Sequence, residues 1–139
     1  YSTYKIEKGG SESFYPFVFN DIMGLDTDKG VLVGDVKLAL RGHVKDGYTF
    51  DPESKLSKGD QFFKDSPSNN DKVHVLVCVV PASTVSLITD EAVRKIREIR
   101  KEASDLDGGV QCTGGHSMNC IFPVKNYHEE NNGTVTLTH

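Results

Sequence analysis

The sequence lacks tryptophan, has few cysteines and contains no long hydrophobic run. A membrane-spanning helix needs ~18 or more consecutive apolar residues, so we predict no contact with a membrane. Three cysteines are too few, and odd in number, for a disulfide framework, which favours a reduced, cytoplasmic location. The net charge of −4 excludes a strongly basic chain and argues against nucleic acid as a partner.

The 139 residues are enough for one domain or part of one. No signal-peptide pattern opens the chain, and its first residue is Tyr1 rather than methionine. We therefore expect a fragment of a longer protein. Its composition, with 37% hydrophobic and 26% charged residues, is typical of a soluble globular chain.

An aromatic, apolar stretch over residues 14–20 predicts a strand that ends on Asp21, and Gly24 follows three residues later. This is the pattern D-x-x-G at the carboxyl end of a strand, where open α/β sheets bind their ligands. In nucleotide hydrolases such a carboxylate holds Mg²⁺, and such a glycine lets a backbone N–H approach a terminal phosphate. The alternative is an ordinary turn in which Gly24 supplies a positive φ. The local sequence leaves both interpretations open.

The other patterns alternate between strand and helix, which predicts an α/β fold. Residues 1–6 alternate polar and apolar side chains and are expected to form a hairpin with residues 14–20. A run rich in β-branched residues at 73–80 predicts a strand that is buried on both faces of a parallel sheet.

Two helices are expected between the strands. Asp35 is a candidate cap for a short helix that ends near Gly42, and Thr89 is a candidate cap for a longer one that reaches about Leu106. The longer helix has a basic face, interrupted by glutamates, that could bind a protein partner: Arg94, Lys95, Arg97, Arg100 and Lys101. Residues 44–72 lack periodicity and predict a long excursion pinned by aromatic side chains, a second candidate surface for a protein partner.

The sequence contains neither a phosphate cradle nor a guanine-reading motif. G-x-x-x-x-G-K-[ST] does not occur, and the glycine-rich segment 108–115 lacks the lysine and the following helix that a cradle needs. N-K-x-D and T-K-x-D are also missing. A set of thiols and imidazoles suggests zinc but lacks the C-x₂₋₄-C pair typical of structural zinc sites: Cys112, His116, Cys120 and His128.

Several segments together resemble the interferon-induced protein 44 family, whose members are cytosolic GTPase-like proteins of the antiviral response. The stretches that carry the resemblance, which is to fish-like sequences, are 14–25 (FYPFVFNDIMGL), 36–50 (VKLALRGHVKDGYTF), 73–106 and 119–129 (NCIFPVKNYHE). We therefore predict a single incomplete domain over residues 1–139. Residues 1–107 and 118–130 follow the family, whereas 108–117 and 131–139 diverge from it.

The resemblance implies roles for five residues. Asp21 would hold Mg²⁺ through water, and the N–H of Gly24 would meet the γ-phosphate of GTP. Leu25 stands where many small GTPases carry a water-orienting glutamine, which implies slow or partner-dependent hydrolysis. Lys125 and Asn126 would lie in the loop near the guanine base.

The resemblance also implies a partial three-layer P-loop GTPase-like domain. The P-loop strand and helix and the guanine-specificity strand have no counterpart among these residues. In the family's fold, the P-loop strand lies between the strand at 14–20 and the strand at 73–80. We therefore expect these two strands either to pair directly or to leave unpaired edges. A central strand taken from within the chain would contradict this placement.

The predicted function is that of a fragment of an interferon-induced GTPase-like protein with an antiviral or immune role. The parent domain would bind GTP and Mg²⁺. This chain is expected to bind guanine nucleotide weakly or not at all, because a phosphate cradle supplies most contacts to a triphosphate. The alternative is a catalytically silent protein-interaction module that uses residues 44–72 or the basic helix face.

Overall fold

The structure, a computed structural model, describes residues 1–10, 12–25, 29–106 and 135–138. Its strands and helices are β1 Ser2–Glu7, β2 Phe14–Ile22, α1 Val33–Leu40, β3 Val75–Cys78, α2 Asp90–Asp105 and β4 Val135–Thr138. Two 3₁₀ turns, Asn69–Asp71 and Ala82–Leu87, precede β3 and α2. Within these described ranges, no helix combines the length and the apolar character needed to cross a bilayer.

The hairpin predicted at the start of the chain is confirmed. β1 and β2 pair antiparallel, with Tyr4 opposite Phe19. The Lys8 N–H donates to the Ser13 carbonyl at 2.8 Å across the turn, where Gly10 has a φ of 76°. A residue with a Cβ rarely adopts that conformation, so the glycine suits this turn.

A short strand completes the sheet. The strand order is β1-β2-β4-β3, and β4 pairs antiparallel with both β2 and β3. β2 and β3 therefore run parallel to each other on either side of β4. The expectation that these two strands pair directly or leave their facing edges unpaired is wrong, because β4 lies between them and pairs with both. Because β4 lies between β2 and β3, the prediction that this place belongs to a missing P-loop strand is also wrong.

The sequence predicted that β3 is buried on both faces, and this prediction is wrong. Val75 and Val77 are 43% and 37% exposed, whereas Leu76 packs against the core. β-branched residues favour strands even where one face is solvated. Their presence on both faces therefore predicts a strand, but it does not predict that both faces are buried. The mixed α and β composition is confirmed, with the described strands forming a small antiparallel sheet.

The predicted start of α1 is wrong, whereas its predicted end is confirmed. Asp35 is not its cap but a fully buried residue of its first turn. At the other end, the Gly42 N–H donates to the Ala39 carbonyl at 3.0 Å and the His43 N–H donates to the Leu38 carbonyl at 2.9 Å. This is the Schellman pattern, which places a glycine at positive φ after the helix. Gly42 has a φ of 82°, so the predicted end of the helix is confirmed.

Residues 44–72 fold back onto α1 and supply much of the core. Tyr48 and Phe50 meet edge to face with their ring centroids 5.0 Å apart, and His43 stacks on Phe63 at 5.2 Å. The predicted aromatic anchors are thus confirmed. The buried apolar residues from this excursion are Val44, Tyr48, Phe50, Leu56 and Phe63.

α2 follows its sequence pattern closely. The Thr89 hydroxyl accepts a hydrogen bond from the Ala92 N–H at 3.2 Å, which confirms the predicted cap. Ile99 is 2% exposed and joins the core. Lys95 lies 3.7 Å from Glu91, one helical turn away, as a favourable i,i+4 ion pair.

Candidate functional site

The end of β2 carries two adjacent polar residues with unusual surroundings. Asn20 is fully buried, and its Oδ1 accepts a hydrogen bond from the Thr3 hydroxyl at 2.7 Å. Within the described part of the chain, the Nδ2 of Asn20 and the Oδ1 of Asp21 are buried without a hydrogen-bond partner. Each orphaned polar atom carries a desolvation cost of ~1–3 kcal/mol or more, so it calls for an explanation.

Gly24 lies just beyond β2, and its carbonyl accepts a hydrogen bond from the Val31 N–H at 3.0 Å. This bond ties the end of the strand to the segment that leads into α1. In the described ranges the glycines with positive φ are Gly10, Gly42, Gly47 and Gly59. Gly24 is not among them, so the interpretation of an ordinary turn that needs a positive φ here is wrong.

The residues present fit a magnesium ion only in part. Mg²⁺ requires near-octahedral oxygen coordination and usually binds through one or two carboxylates, with water and phosphates completing the shell. The orphaned Oδ1 of Asp21 fits the role of one such carboxylate. Among the described residues, no group of three or more His, Cys, Asp or Glu side chains could hold a metal ion. Asp21 could therefore contribute one ligand or bind a metal-bound water, and a nucleotide would have to supply others.

The remaining predicted site residues divide by position. Leu25, which stands where the resemblance places a water-orienting glutamine, is half-buried and packs against the core. Lys125 and Asn126 fall outside the described residues. So do all members of the zinc interpretation, Cys112, His116, Cys120 and His128. Asp21, Gly24 and Leu25 thus lie at or just beyond the end of β2, and the roles predicted for all of these residues stay predictions.

Asp35, which the sequence predicted to be a helix cap, is a buried carboxylate of the core. The Oδ1 of Asp35 accepts a hydrogen bond from the Leu56 N–H at 3.0 Å, and its Oδ2 accepts one from the Tyr48 hydroxyl at 3.2 Å. Burial raises the pKa of Asp35, while these two bonds oppose that shift. Burial also raises the pKa of Tyr48 to about 12, with the charge of Asp35 adding to the effect. Both oxygens are satisfied, so this cluster ties residues 44–72 to α1 and offers no free group for chemistry.

A groove of about 700 Å³ runs between the outer half of the hairpin and residues 44–74. Two pairs of its polar groups are bonded to each other. Asp46 accepts from the Thr3 N–H at 2.9 Å, and the Lys64 ammonium lies 2.6 Å from Asp71. Bonds from Lys64 and Ser68 lower the pKa of Asp71 to about 2. Since these charges already have partners, the groove is better explained as part of the packing than as a ligand site.

The basic face of α2 is exposed apart from Lys95, which is half-buried. Two of the glutamates that interrupt it pair with α1, since Glu98 lies 2.5 Å from Lys37 and Glu102 lies 2.5 Å from Arg41. Their charges are thereby neutralised by the neighbouring helix. The cations left on the exposed surface of α2 are Arg94, Arg97, Arg100 and Lys101.

Comparison with curated proteins decides the family. The chain is 32% identical to human interferon-induced protein 44 over 103 residues, which is 73% of this chain and 23% of that protein. It is 31% identical to the chimpanzee interferon-induced protein 44 over 103 residues, with the same coverage. Over this segment, the chain belongs to the interferon-induced protein 44 family. Human interferon-induced protein 44-like is 26% identical over 104 residues, so the family predicted from the sequence is confirmed.

The chain spans 23% of the length of the human and chimpanzee interferon-induced 44 proteins that it matches. No protein-family model matches it. No solved structure matches it either. Membership of the interferon-induced protein 44 family therefore rests on sequence identity, and the GTPase-like part of the expectation stays a prediction.

Proposed function

We propose that this chain is a segment of an interferon-induced protein that acts in the antiviral immune response and whose complete form binds guanine nucleotide. The names of its relatives, which are interferon-induced proteins, support the interferon-induced character, and the family resemblance of the sequence suggests the antiviral role. The resemblance of the D-x-x-G segment to that of GTPase-like proteins supports the second part. The sheet topology does not enter this argument, because β4 occupies the place expected for a P-loop strand.

In this proposal, Asp21 is the carboxylate that binds Mg²⁺ through water, and the Gly24 N–H lies near the terminal phosphate. The observation that carries it is the orphaned Oδ1 of Asp21, buried at the end of β2 without a hydrogen-bond partner in the described residues. A purely structural carboxylate in that position would be expected to find a donor, as both oxygens of Asp35 do. Bound Mg²⁺ would neutralise the carboxylate and stabilise phosphate charge next to it.

The 139 residues alone are proposed to bind nucleotide weakly or not at all. Phosphate oxygens supply much of the coordination of Mg²⁺ in nucleotide sites, and a cradle of backbone N–H groups holds those phosphates. Since the sequence contains no such cradle, Asp21 would have to hold the ion almost alone. Titration of a fluorescent GTP analogue with Mg²⁺ is expected to give no saturable signal, and micromolar binding would overturn this part of the proposal.

Substitution of Asp21 tests its role in the full-length protein that contains this segment. Asp21→Asn is expected to weaken Mg²⁺-dependent GTP binding by about tenfold or more, as outer-sphere metal contacts typically do. Asp105→Asn, at the exposed end of α2, is the matched control and is expected to bind as the wild type does. Binding by Asp21→Asn at wild-type affinity would contradict the proposal.

The same substitution separates a binding role from a structural one by its effect on stability. Because the orphaned Oδ1 pays a desolvation cost, Asp21→Asn is expected to leave the free energy of unfolding of the chain unchanged or to raise it. Urea denaturation measures this. A loss of stability greater than ~1 kcal/mol would indicate that the carboxylate holds the fold together.

A second candidate is a protein-interaction module, and the exposed cations of α2 favour it. Of the two predicted surfaces, the helix face is better suited than residues 44–72, whose aromatic side chains are buried in the core. Poly-glutamate serves as a probe of an acidic partner. We expect salt-sensitive binding that is lost in the double variant Arg97→Glu and Lys101→Glu and kept in Lys5→Glu, on the far hairpin. Equal binding by all three proteins would contradict this candidate.

A further inference from the structure

Ser66 stands directly before Pro67, and no other serine or threonine of the 139 residues precedes a proline. It is exposed and lies in the irregular segment between Phe63 and the 3₁₀ turn Asn69–Asp71. Among the described residues, none forms a hydrogen bond with it. The Ser66 hydroxyl is therefore accessible from solvent and is not held by the fold.

The nearby Ser68 is held in place by hydrogen bonds that Ser66 lacks. The hydroxyl and the N–H of Ser68 each donate to Asp71 Oδ2 at 2.7 Å, at the start of the 3₁₀ turn. A serine in this position stabilises the turn that follows it. Of the two serines, only Ser66 can therefore be modified without the loss of a hydrogen bond seen in the described residues.

Pro67 gives this segment two properties that another protein can recognise. Its ring disfavours the helical conformation at Ser66 and favours an extended one, and extended segments are a common form in which peptides are bound. Pro67 also has no backbone N–H. In a closed apolar pocket any other residue would bury an unpaired N–H at this position, which is unfavourable. A pocket of this kind therefore selects a proline after the serine.

We propose that Ser66 is a phosphorylation site for a protein kinase with such a pocket, a proline-directed kinase. In the reaction, Ser66 Oγ forms a bond to the γ-phosphorus of ATP, and the bond from this phosphorus to its bridging oxygen breaks, so that ADP leaves. The hydroxyl proton passes to a base of the kinase. The modification goes beyond the proposed nucleotide site and does not depend on it, because the kinase binds the ATP.

Lys64 is a cation within reach of a phosphate on Ser66. The two residues are two positions apart, so their Cα atoms are separated by at most about 7 Å. The Lys64 ammonium lies 2.6 Å from Asp71, and the two side chains are 39% and 28% exposed. A phosphoserine carries about two negative charges and three acceptor oxygens. The phosphate therefore competes with Asp71 for Lys64, so phosphorylation alters the contact that holds the 3₁₀ turn.

Incubation of the chain with ATP and two purified proline-directed kinases, a mitogen-activated protein kinase and a cyclin-dependent kinase, tests the site. Mass spectrometry locates the phosphate, and we expect it on Ser66 with at least one of the two enzymes. Pro67→Ala is expected to react about tenfold more slowly or less, because its N–H enters the pocket unpaired. Ser57→Ala, at an exposed serine that no proline follows, is the matched control and should react as the wild type does.

Circular dichroism verifies that each variant folds. Absence of phosphate from Ser66 with both kinases would overturn the proposal. So would a folded Pro67→Ala chain that reacts as fast as the wild type, or a Ser57→Ala chain that does not react.

Phosphorus NMR tests the pairing of the phosphate with Lys64. The second pKa of a phosphoserine is about 6, and a neighbouring ammonium group lowers it. We expect this pKa to be lower in the phosphorylated wild type than in phosphorylated Lys64→Gln, while Lys101→Gln, on α2, leaves it unchanged. Equal pKa values in the wild type and Lys64→Gln would show that the phosphate does not compete for Lys64, as would an equal shift in Lys101→Gln.

Discussion

Two segments of the molecule, residues 31–63 and residues 75–106, contribute to it in opposite ways. The first has the weaker sequence pattern and supplies most of the buried apolar side chains of the described residues: Val31, Val36, Ala39, Leu40, Val44, Tyr48, Phe50, Leu56 and Phe63. The second contains the clearest strand and helix patterns, yet only Ile99 in its described part is fully buried. Val85 and Leu87 are 55% and 73% exposed.

This difference teaches that periodicity and burial are separate properties. Strong periodicity in 75–106 specifies the type of each element, because spacing fixes which side chains share a face. Burial in 31–63 is specified by single anchors that meet across the loop. Residues 31–63 therefore supply most of the core, whereas residues 75–106 are mostly exposed, including the basic face of α2.

Truncation of a leucine in each segment should show the largest contrast. Leu40 is 1% exposed, so Leu40→Ala is expected to lower the free energy of unfolding by ~2–5 kcal/mol through lost contacts and a cavity. Leu87→Ala makes the same chemical change at an exposed site and is expected to cost less than ~0.5 kcal/mol. Urea denaturation of both variants measures the two values, and similar losses would erase the distinction between the segments.

A methyl group added after α1 should have the next largest effect. Gly42 has a φ of 82°, and a Cβ there would lie 2.7 Å from the Asp71 carbonyl oxygen. Gly42→Ala is therefore expected to destabilise by more than ~1 kcal/mol, because backbone strain and a clash act together. Gly59→Ala shares the positive φ but meets no atom within 4 Å, so it isolates the strain. If the two variants lose equal stability in thermal denaturation, the close approach contributes nothing.

Asp35 should make the free energy of unfolding depend on pH. Burial raises the pKa of Asp35 above the usual value for an aspartate, so the folded state holds this proton more tightly than the unfolded state does. Its contribution is fully present below about pH 4 and is lost as pH rises through the folded pKa. Asp35→Asn removes this titration at a cost of ~1 kcal/mol for the altered bond to Tyr48.

Urea midpoints of wild type and Asp35→Asn across pH reveal this dependence. The stability of the wild type relative to the variant is expected to fall as pH rises from 4. A relative stability that rises over the same range would mean that Asp35 is held ionised in the fold, and the assignment of burial as the dominant cause would be incorrect.

The ion pair that joins the two segments should have the smallest effect. Arg41 on α1 and Glu102 on α2 lie 2.5 Å apart, with Glu102 only 14% exposed. A double-mutant cycle with Arg41→Gln and Glu102→Gln is expected to give a coupling of ~0.2–1 kcal/mol that weakens in high salt. The exposed pair of Glu91 and Arg94 within α2, 4.0 Å apart, is the control and should couple less. Stronger coupling in the control would indicate that the contact between helices is not favoured by burial.

Local signals account for what the sequence predicted correctly. The hairpin follows from alternation and a glycine turn, and the start of α2 follows from Thr89, whose hydroxyl bonds within the next turn. The end of α1 at Gly42 has the same local character. Each of these features depends on residues close together in the chain, which is why a single sequence indicates them.

Features that depend on distant contacts could not be predicted. Asp35 has the residue type of a helix cap, but its partners Tyr48 and Leu56 come from the far side of the excursion. β4 has only four residues, too short for a reliable pattern, and its place between β2 and β3 depends on both. At the candidate site, sequence indicated Asp21 and Gly24, whereas the orphaned Oδ1 was visible only in the structure.

Native-state hydrogen exchange tests most directly the claim that residues 31–63 hold the fold while 75–106 form its surface. The amides of Val36 and Phe63 and those of Thr84 and Ile88 all donate backbone hydrogen bonds, so their exchange rates report how readily each segment opens. We predict that Val36 and Phe63 exchange only through global unfolding, while Thr84 and Ile88 exchange through local opening with much lower protection. Equal protection of all four amides, or greater protection of Thr84 and Ile88, would contradict the account.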